Sequence, residues 1–267
     1  MATGRQAPMT EPCLAERLDG AVLTLTLDRP QTHNAIDEGV VAALHRALAR
    51  ARAEPAIRAL ALTASGKSFS AGVDLQRLRR LGSMTRAESV ANALALGAVL
   101  LELASLPKPT IAAVQGPAYG GGVGLILACD IVIAAEEARF ALTETHHGLL
   151  PGLVAPLLAD AVGSREARRC LLTGRRFDAL EAMRIGLVHE VTTQDELPAA
   201  LARTVGQVLR GGPLSIAGTK RILADRNLAE SLSRIAEDVA DHRATAEARE
   251  GITAFLEKRD PAWRHSQ

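Results

Sequence analysis

An α/β fold is predicted by three observations. Strand and helix patterns alternate over the first half of the chain, the first strand pattern has a clean period of two, and helical patterns dominate beyond residue 153. The segment 21–28, AVLTLTLD, places Leu23, Leu25 and Leu27 on one face and Thr24 and Thr26 on the other, and Asp28-Arg29-Pro30 stops it. Asp37 reads as the N-cap of a helix running to about Ala53, with Val40, Val41, Leu44 and Leu48 at helical spacing and Pro55 as its stop. A second strand, IRALALT at 57–63, leads into a small, polar loop at 64–74. A helix at 86–106 follows, and Pro107-Lys108-Pro109 introduces a strand at 110–114.

Beyond it, Gly116 to Gly122 forms a glycine-dense turn, 123–129 a short apolar helix and 130–135 another strand, near which 139–142 pairs. Helical patterns then occupy 153–162, 165–172, 179–185, 197–209, 213–223 and 228–250, with 187–191 as the one extended stretch. The domain layout expected is a loose leader at 1–13, a core at 14–200 and a helical region at 201–267.

The chain has 267 residues, and its 31 Lys+Arg against 30 Asp+Glu leave a formal charge of +1, so no affinity for nucleic acid or membrane follows from charge. Hydrophobic residues make up 48%, which is enough to bury a full core. Aromatic residues make up only 2%, so that core consists of Ala, Leu, Val and Ile, and base-stacking platforms are excluded. Cys13, Cys129 and Cys170 form neither a disulfide framework nor a zinc cage, pointing to a reducing, cytoplasmic setting. The first residues lack the apolar run of a secretory signal. The most apolar stretch, 109–135, is interrupted by glycines and Asp130, and no apolar span of membrane-crossing length is expected.

Several familiar sites fail on spacing. Gly66-Lys67-Ser68 resembles the end of a phosphate-binding loop, but Ala61 stands where its first glycine belongs. Ser68-Phe69-Ser70-Ala71-Gly72 is a hydrolase elbow with Ser68 in place of the first glycine. The cluster Gly120 to Gly124 lacks the dinucleotide-binding register, and His146 and His147 are adjacent rather than spaced as metal ligands, so no metal is expected. Two glycine turns remain, Ala71-Gly72-Val73-Asp74 and Gly120-Gly121-Gly122. Each follows a strand and leads toward an apolar helix, so two backbone N–H groups can converge as an oxyanion hole; alternatively the glycines serve tight turns and close packing.

Taken together, five stretches resemble the enoyl-CoA hydratase/isomerase, or crotonase, superfamily over about residues 14–264. They are Leu27-Asp28-Arg29-Pro30 with His33-Asn34-Ala35, the run from Ser65 to Leu75, the run from Pro107 to Gly116, Gly120-Gly121-Gly122 with Ala128-Cys129-Asp130, and Phe255-Leu256-Glu257-Lys258-Arg259. The resemblance implies a spiral of ββα units with a C-terminal helical trimerisation region, assembled as a homotrimer or a hexamer. It further implies an acyl-CoA thioester substrate, no cofactor beyond the coenzyme A of that substrate, and a place in fatty acid metabolism.

By position, the family's two oxyanion donors fall on the N–H groups of Val73 and Gly121. Substrate contacts fall on Arg29, His33, Ala35, Ala71, Asp74, Leu75 and Gly120, with Phe255 and Lys258 supplied by a neighbouring subunit. Asp130 is expected to be structural, and a solvated charge is the other reading of Lys258. Of the two glutamates used by hydratases, the first position is Gly124 and the second is Glu144. The stretches 143–163, 167–179 and 186–190 resemble bacterial methylglutaconyl-CoA-hydratase-like members, a subgroup that also has glycine at the first position. This implies a hydratase in which Glu144 handles both proton steps; a double-bond isomerase using Glu144 alone and a non-catalytic acyl-CoA-binding homologue are the alternatives. His146 and His147 either hold a polar acyl tail or lie outside the site.

Overall fold

The computed structural model describes residues 13–259 apart from 75–78, 81, 224–236, 238, 239 and 242. The expected leader other than Cys13, most of the helix expected at 228–250, and Leu75 therefore lie outside the described residues. In chain order the elements are β1 (Leu14–Asp19), β2 (Val22–Leu27), α1 (Glu38–Ala53), β3 (Ala59–Ala64), α2 (Arg86–Ala104), β4 (Thr110–Val114), β5 (Ala118–Tyr119), α3 (Gly121–Leu127), β6 (Ile131–Ala135) and β7 (Arg139–Ala141). They continue with α4 (Ala155–Thr173), β8 (Phe177–Asp178), α5 (Ala179–Ile185), β9 (Glu190–Thr192), α6 (Leu197–Leu209), α7 (Pro213–Leu223) and α8 (Ala246–Leu256); short 3₁₀ turns stand at Pro30–Thr32 and Glu144–His147.

A six-stranded sheet in the order β1-β2-β3-β4-β6-β9 carries the core. Only β1 runs antiparallel to its neighbour; the other pairs are parallel, joined by crossovers in which helices return the chain. As the period-two pattern demands, Leu23, Leu25 and Leu27 are buried, with Leu23 opposite Leu60 and Leu25 opposite Leu62. Every residue of β4 is buried, as befits a central parallel strand. β1 has no such signature: only Leu14 of its six residues is buried, and it is held at the sheet edge by backbone pairing with β2, by Leu14 in the core and by the Glu16–Arg50 pair to α1.

The second sheet is small and holds the site. Its strands are ordered β5-β7-β8, and a bridge from Ser70 to Ala118 extends it on the far side of β5. Phe140 and Phe177 stack across it with centroids 5.7 Å apart, two of the few aromatic rings in a core otherwise built from aliphatic side chains.

Helix ends follow their local chemistry. The Asp37 carboxylate accepts from the Val40 N–H at 2.9 Å, and Thr85 with Glu88 forms a reciprocal capping box at the start of α2. Lys108, bracketed by prolines, donates its ammonium to the carbonyls of Ala51 and Glu54 and so closes the C-terminal end of α1. The two helices expected at 153–162 and 165–172 are the two segments of α4, which breaks at Gly163, whose φ of +76° and ψ of 155° are not helical. By length and composition α2 is apolar enough to cross a membrane, though Glu88 and Glu102 interrupt its apolar run. Here it packs on α1 and buries Ala93, Leu96, Val99, Leu100 and Leu103, which accounts for its apolarity as a core helix.

Candidate active site

The loop after β3 is shaped by a polar hub. The buried Asn34 side chain accepts from the Arg29 N–H at 2.8 Å and donates to the Ser65 and Ser68 carbonyls at 2.8 and 2.9 Å. Ser70, also buried, donates its hydroxyl to the Asn34 carbonyl and accepts from the Gly72 N–H. The Ile36 N–H then donates to the Gly72 carbonyl at 2.7 Å, and the Asp74 N–H donates to the Ile36 carbonyl at 3.3 Å. Because these bonds use the backbone groups on either side of Val73, its own N–H points away from them and donates to no backbone carbonyl among the described residues.

The second turn meets the first by close contact of backbones. At Gly72, with φ of +83°, a Cβ would lie 2.7 Å from the Tyr119 carbonyl and 3.6 Å from the Gly121 nitrogen. At Gly122 it would lie 2.7 Å from the Ser70 Cβ. Gly121 opens α3, so its N–H has no carbonyl one turn back to bond and is a second donor with no backbone acceptor among the described residues. Both glycine turns therefore serve close packing, and that packing sets Val73 and Gly121 on one cavity.

The acid is delivered by the small sheet. β5 pairs with β7, the Gly120 N–H donates to the Ala141 carbonyl at 3.0 Å, and the chain turns at Glu144 so that a Cβ on Gly120 would lie 3.0 Å from Glu144 Oε1. The other carboxyl oxygen, Oε2, is enclosed and has no hydrogen-bond partner among the described residues. Burial is the dominant cause that raises the carboxyl to about 7. The turn is pinned on one side by Thr145, whose hydroxyl donates to the Leu171 carbonyl, and by His146, whose Nε2 lies 2.7 Å from the Thr173 oxygen. On the other side α8 presses directly on it: a Cβ at Gly251 would fall 1.6 Å from the His147 carbonyl, and the Phe255 ring meets the His147 ring edge-on at 4.4 Å.

Gly124 has no room for a second acid. A Cβ there would contact Val154 Cγ2 at 3.1 Å and the Leu100 methyls at 3.4 and 3.5 Å, and Val154 itself lines the cavity. Apolar side chains fill the space a carboxylate would need.

Ala71, Val73, Gly120, Gly121, Glu144 and Phe255 all line a single cavity of about 490 Å³. Arg29, His33, Ala35, Asp74 and Lys258 are not among its lining residues. The Arg29 guanidinium is held by the Asp37 carboxylate, His33 bonds the Ser68 hydroxyl at 3.0 Å on the exposed rim, and Ala35 is buried. Phe255 lines the cavity of its own chain, where its ring meets that of His147. His146 and His147 both line the cavity, whereas Asp130 lies outside the lining and ties Thr110 to Lys220. Sequence reasoning passed over Ser70, Val154 and Arg176. Each stood within a quoted stretch, but none was singled out there.

A family model described as enoyl-CoA hydratase/isomerase matches residues 17–266. The chain belongs to the enoyl-CoA hydratase/isomerase family. A carnitinyl-CoA dehydratase from Salmonella heidelberg is 37% identical over 259 residues, covering 92% of this chain and 96% of the relative. Among solved structures, an enoyl-CoA hydratase from Mycobacterium avium superposes with a TM-score of 0.85 at 34% identity, covering 95% of this chain and 100% of that one. A carnitinyl-CoA hydratase from Mycobacterium avium superposes with a TM-score of 0.83 at 31% identity, over 96% of this chain and 100% of that one. The α/β crotonase-like fold expected from the five stretches is thus the fold of this family member.

Proposed function

We propose that the chain hydrates 2-enoyl-CoA thioesters, with the N–H groups of Val73 and Gly121 as the oxyanion hole and Glu144 as the only acid/base. The observation that supports this most is the enclosed Glu144 carboxyl, raised to about 7 by burial, on the same cavity as two residues whose N–H groups have no backbone acceptor among the described residues. At neutral pH such a group is present in both protonation states, which suits a residue that must take a proton and then return it. Water attacks C3 as the Glu144 carboxylate removes its proton, and the electrons of the double bond move onto the thioester oxygen. The two N–H groups meet that developing charge, which is absent in the ground state, so they stabilise the transition state selectively. Glu144 then returns the proton to C2, the thioester carbonyl re-forms, and the net change is one water added. The names of the relatives, hydratase and dehydratase, fit this reading.

The coenzyme A moiety runs along the rim at His33 and Ala71, with Arg29, Ala35, Asp74 and Lys258 around it. Assembly as a homotrimer or hexamer through the C-terminal helices, and a cytoplasmic setting without added cofactor, belong to the same proposal.

Gly124 favours a second reading, double-bond isomerisation, in which one carboxyl moves a proton between two carbons. Mass analysis after incubation with 2-enoyl-CoA and 3-enoyl-CoA thioesters separates the two. A product heavier by one water is expected; a product of equal mass and altered retention establishes isomerisation. Glu144→Gln is expected to abolish turnover while leaving coenzyme A binding in place, and an undiminished rate removes Glu144 from the mechanism.

A further inference from the structure

Two histidines follow Glu144 on its turn, and they have different surroundings. The His147 ring meets Phe255 of α8, whereas the His146 ring reaches the C-terminal end of α4. His146 Nε2 stands 2.7 Å from the Thr173 carbonyl oxygen, which can only accept, so Nε2 carries a proton and donates it. Gly174, the left-handed residue that ends α4, makes room for the ring: a Cβ there would fall 2.5 Å from Nε2 and 2.6 Å from Cε1. The neighbouring Thr145 hydroxyl donates to the Leu171 carbonyl at 3.0 Å. Leu171 and Thr173 lie in the last turn of α4, whose carbonyls find no partner within the helix. Each contact therefore serves both sides, capping the helix and fixing the turn.

The turn matters because little else steers the acid. Glu144 Oε2 has no hydrogen-bond partner among the described residues, so the carboxyl is placed by the backbone that carries it. That backbone is closed around Glu144 by the His146 N–H, which donates to the Thr143 carbonyl at 2.9 Å, and by the Leu149 N–H, which donates to the Glu144 carbonyl at 3.0 Å. His146 thus bonds the turn to itself through its main chain and to α4 through its side chain. We propose that His146 is a positioning residue for Glu144: its Nε2–H, held on the Thr173 carbonyl, tethers the turn to α4 and sets where the carboxyl meets the substrate. This rests on Glu144 as the acid/base proposed above. Of the two roles open to His146 in the sequence, it replaces the holding of an acyl tail, because the N–H that would hold one is spent on α4.

The test compares two amides that differ in reach. His146→Gln places an N–H about where Nε2 stands, and His146→Asn is one methylene too short. In the full chain His146→Asn is expected to lower kcat about tenfold or more with KM nearly unchanged, and His146→Gln to recover most of that loss. Gly174→Ala drives a methyl group into the ring from the helix side and is expected to match His146→Asn. A second readout needs no turnover. In protein carrying ¹³C at the glutamate carboxyls, the Glu144 signal is the one that Glu144→Gln removes. Its titration is expected to move toward that of an ordinary glutamate in His146→Asn, as water reaches a turn no longer held, and to stay in place in His146→Gln. The other charged or titratable side chains on the cavity wall among the described residues, His147, Arg176 and Arg243, are kept in every variant. Equal losses in the two amide variants, a loss confined to KM, or a Glu144 titration unmoved in His146→Asn overturns the proposal. A titration that moves as expected in a chain that turns over no thioester upholds the tether and removes the hydratase reading instead.

Discussion

A carboxyl that is enclosed and has an unpartnered oxygen favours its neutral form, and this makes the folded chain sensitive to pH through one residue. Because burial raises Glu144 from 4.5 to about 7, the folded state holds the proton more tightly than the unfolded state. The stability it contributes is full below the unfolded value and is lost as pH rises through about 7. Glu144→Gln removes that dependence. Relative to the unaltered chain, the variant is expected to gain stability between pH 5 and pH 8, by up to about 3 kcal/mol. Denaturant unfolding at both pH values checks the sign, and a wild-type-to-variant difference that does not move with pH shows that Glu144 titrates normally. Catalysis runs the other way: if the carboxylate activates water, kcat/KM rises with pH through the same window. At this scale Val73, Gly121 and Glu144 were legible because each stands at a fixed offset within a recognisable turn. Val154 and Arg176 were not. Val154 fills space above a residue thirty positions earlier, and Arg176 lies over the Tyr119 ring, contacts that only the folded neighbourhood reveals.

α8 links the two halves of the candidate catalytic apparatus. Ile252 packs in one apolar cluster with Val73 of the oxyanion loop and with Leu149, while Gly251 and Phe255 touch the turn that carries Glu144. A methyl group at position 251 has no space against the His147 carbonyl, so Gly251→Ala is expected to lift α8 from the turn. The consequence is chemical as well as structural, because admitting water to Glu144 lowers its pKa toward that of an ordinary glutamate. The acid limb of the pH–rate profile is therefore expected to shift below about 7, with a fall in kcat and a stability loss of roughly 1–3 kcal/mol. A loss of stability with the limb unmoved reduces α8 to a packing element. Long elements such as α1, β4 and the Gly163 kink in α4 were visible in the sequence through caps, prolines and periodicity. β1, β5 and β8 were not, since a mostly exposed edge strand and strands of two residues leave no hydrophobic period to detect. The contact of Gly251 with His147 joins residues far apart in sequence, and neither segment signals the other.

For the whole molecule, a polar chain fastens the helical part to the core. Asp130, at the start of β6, accepts from the Thr110 N–H at 2.7 Å and the Thr110 hydroxyl at 2.9 Å, locking β4 to β6. Lys220 of α7 donates to the same carboxylate and to the Lys108 carbonyl at 3.0 Å, and the Lys108 ammonium in turn closes the end of α1. The Lys220 side chain is only 13% exposed, so its charge is costly to leave unpaired, whereas Asp130 is exposed and keeps its bonds to Thr110. The division expected near residue 200 is therefore bridged by side chains that reach back to the sheet, among them Arg58, whose guanidinium donates to the Leu209 and Gly211 carbonyls at 3.1 and 2.7 Å. Removing one member, in Asp130→Asn, strands the buried lysine and is expected to cost about 3 kcal/mol, whereas Lys220→Met leaves an exposed carboxylate still bonded to Thr110 and is expected to cost about 1 kcal/mol. The double variant has no stranded charge and is expected to lose less than the two single losses added together, a coupling of about 1–3 kcal/mol read from urea midpoints. Additive losses show that the two groups stabilise the chain separately. In all three variants the acid limb set by Glu144 is expected to stay in place, since none of these residues lines the cavity. A shifted limb instead means that the hold of α7 on the sheet extends to the second sheet and its turn.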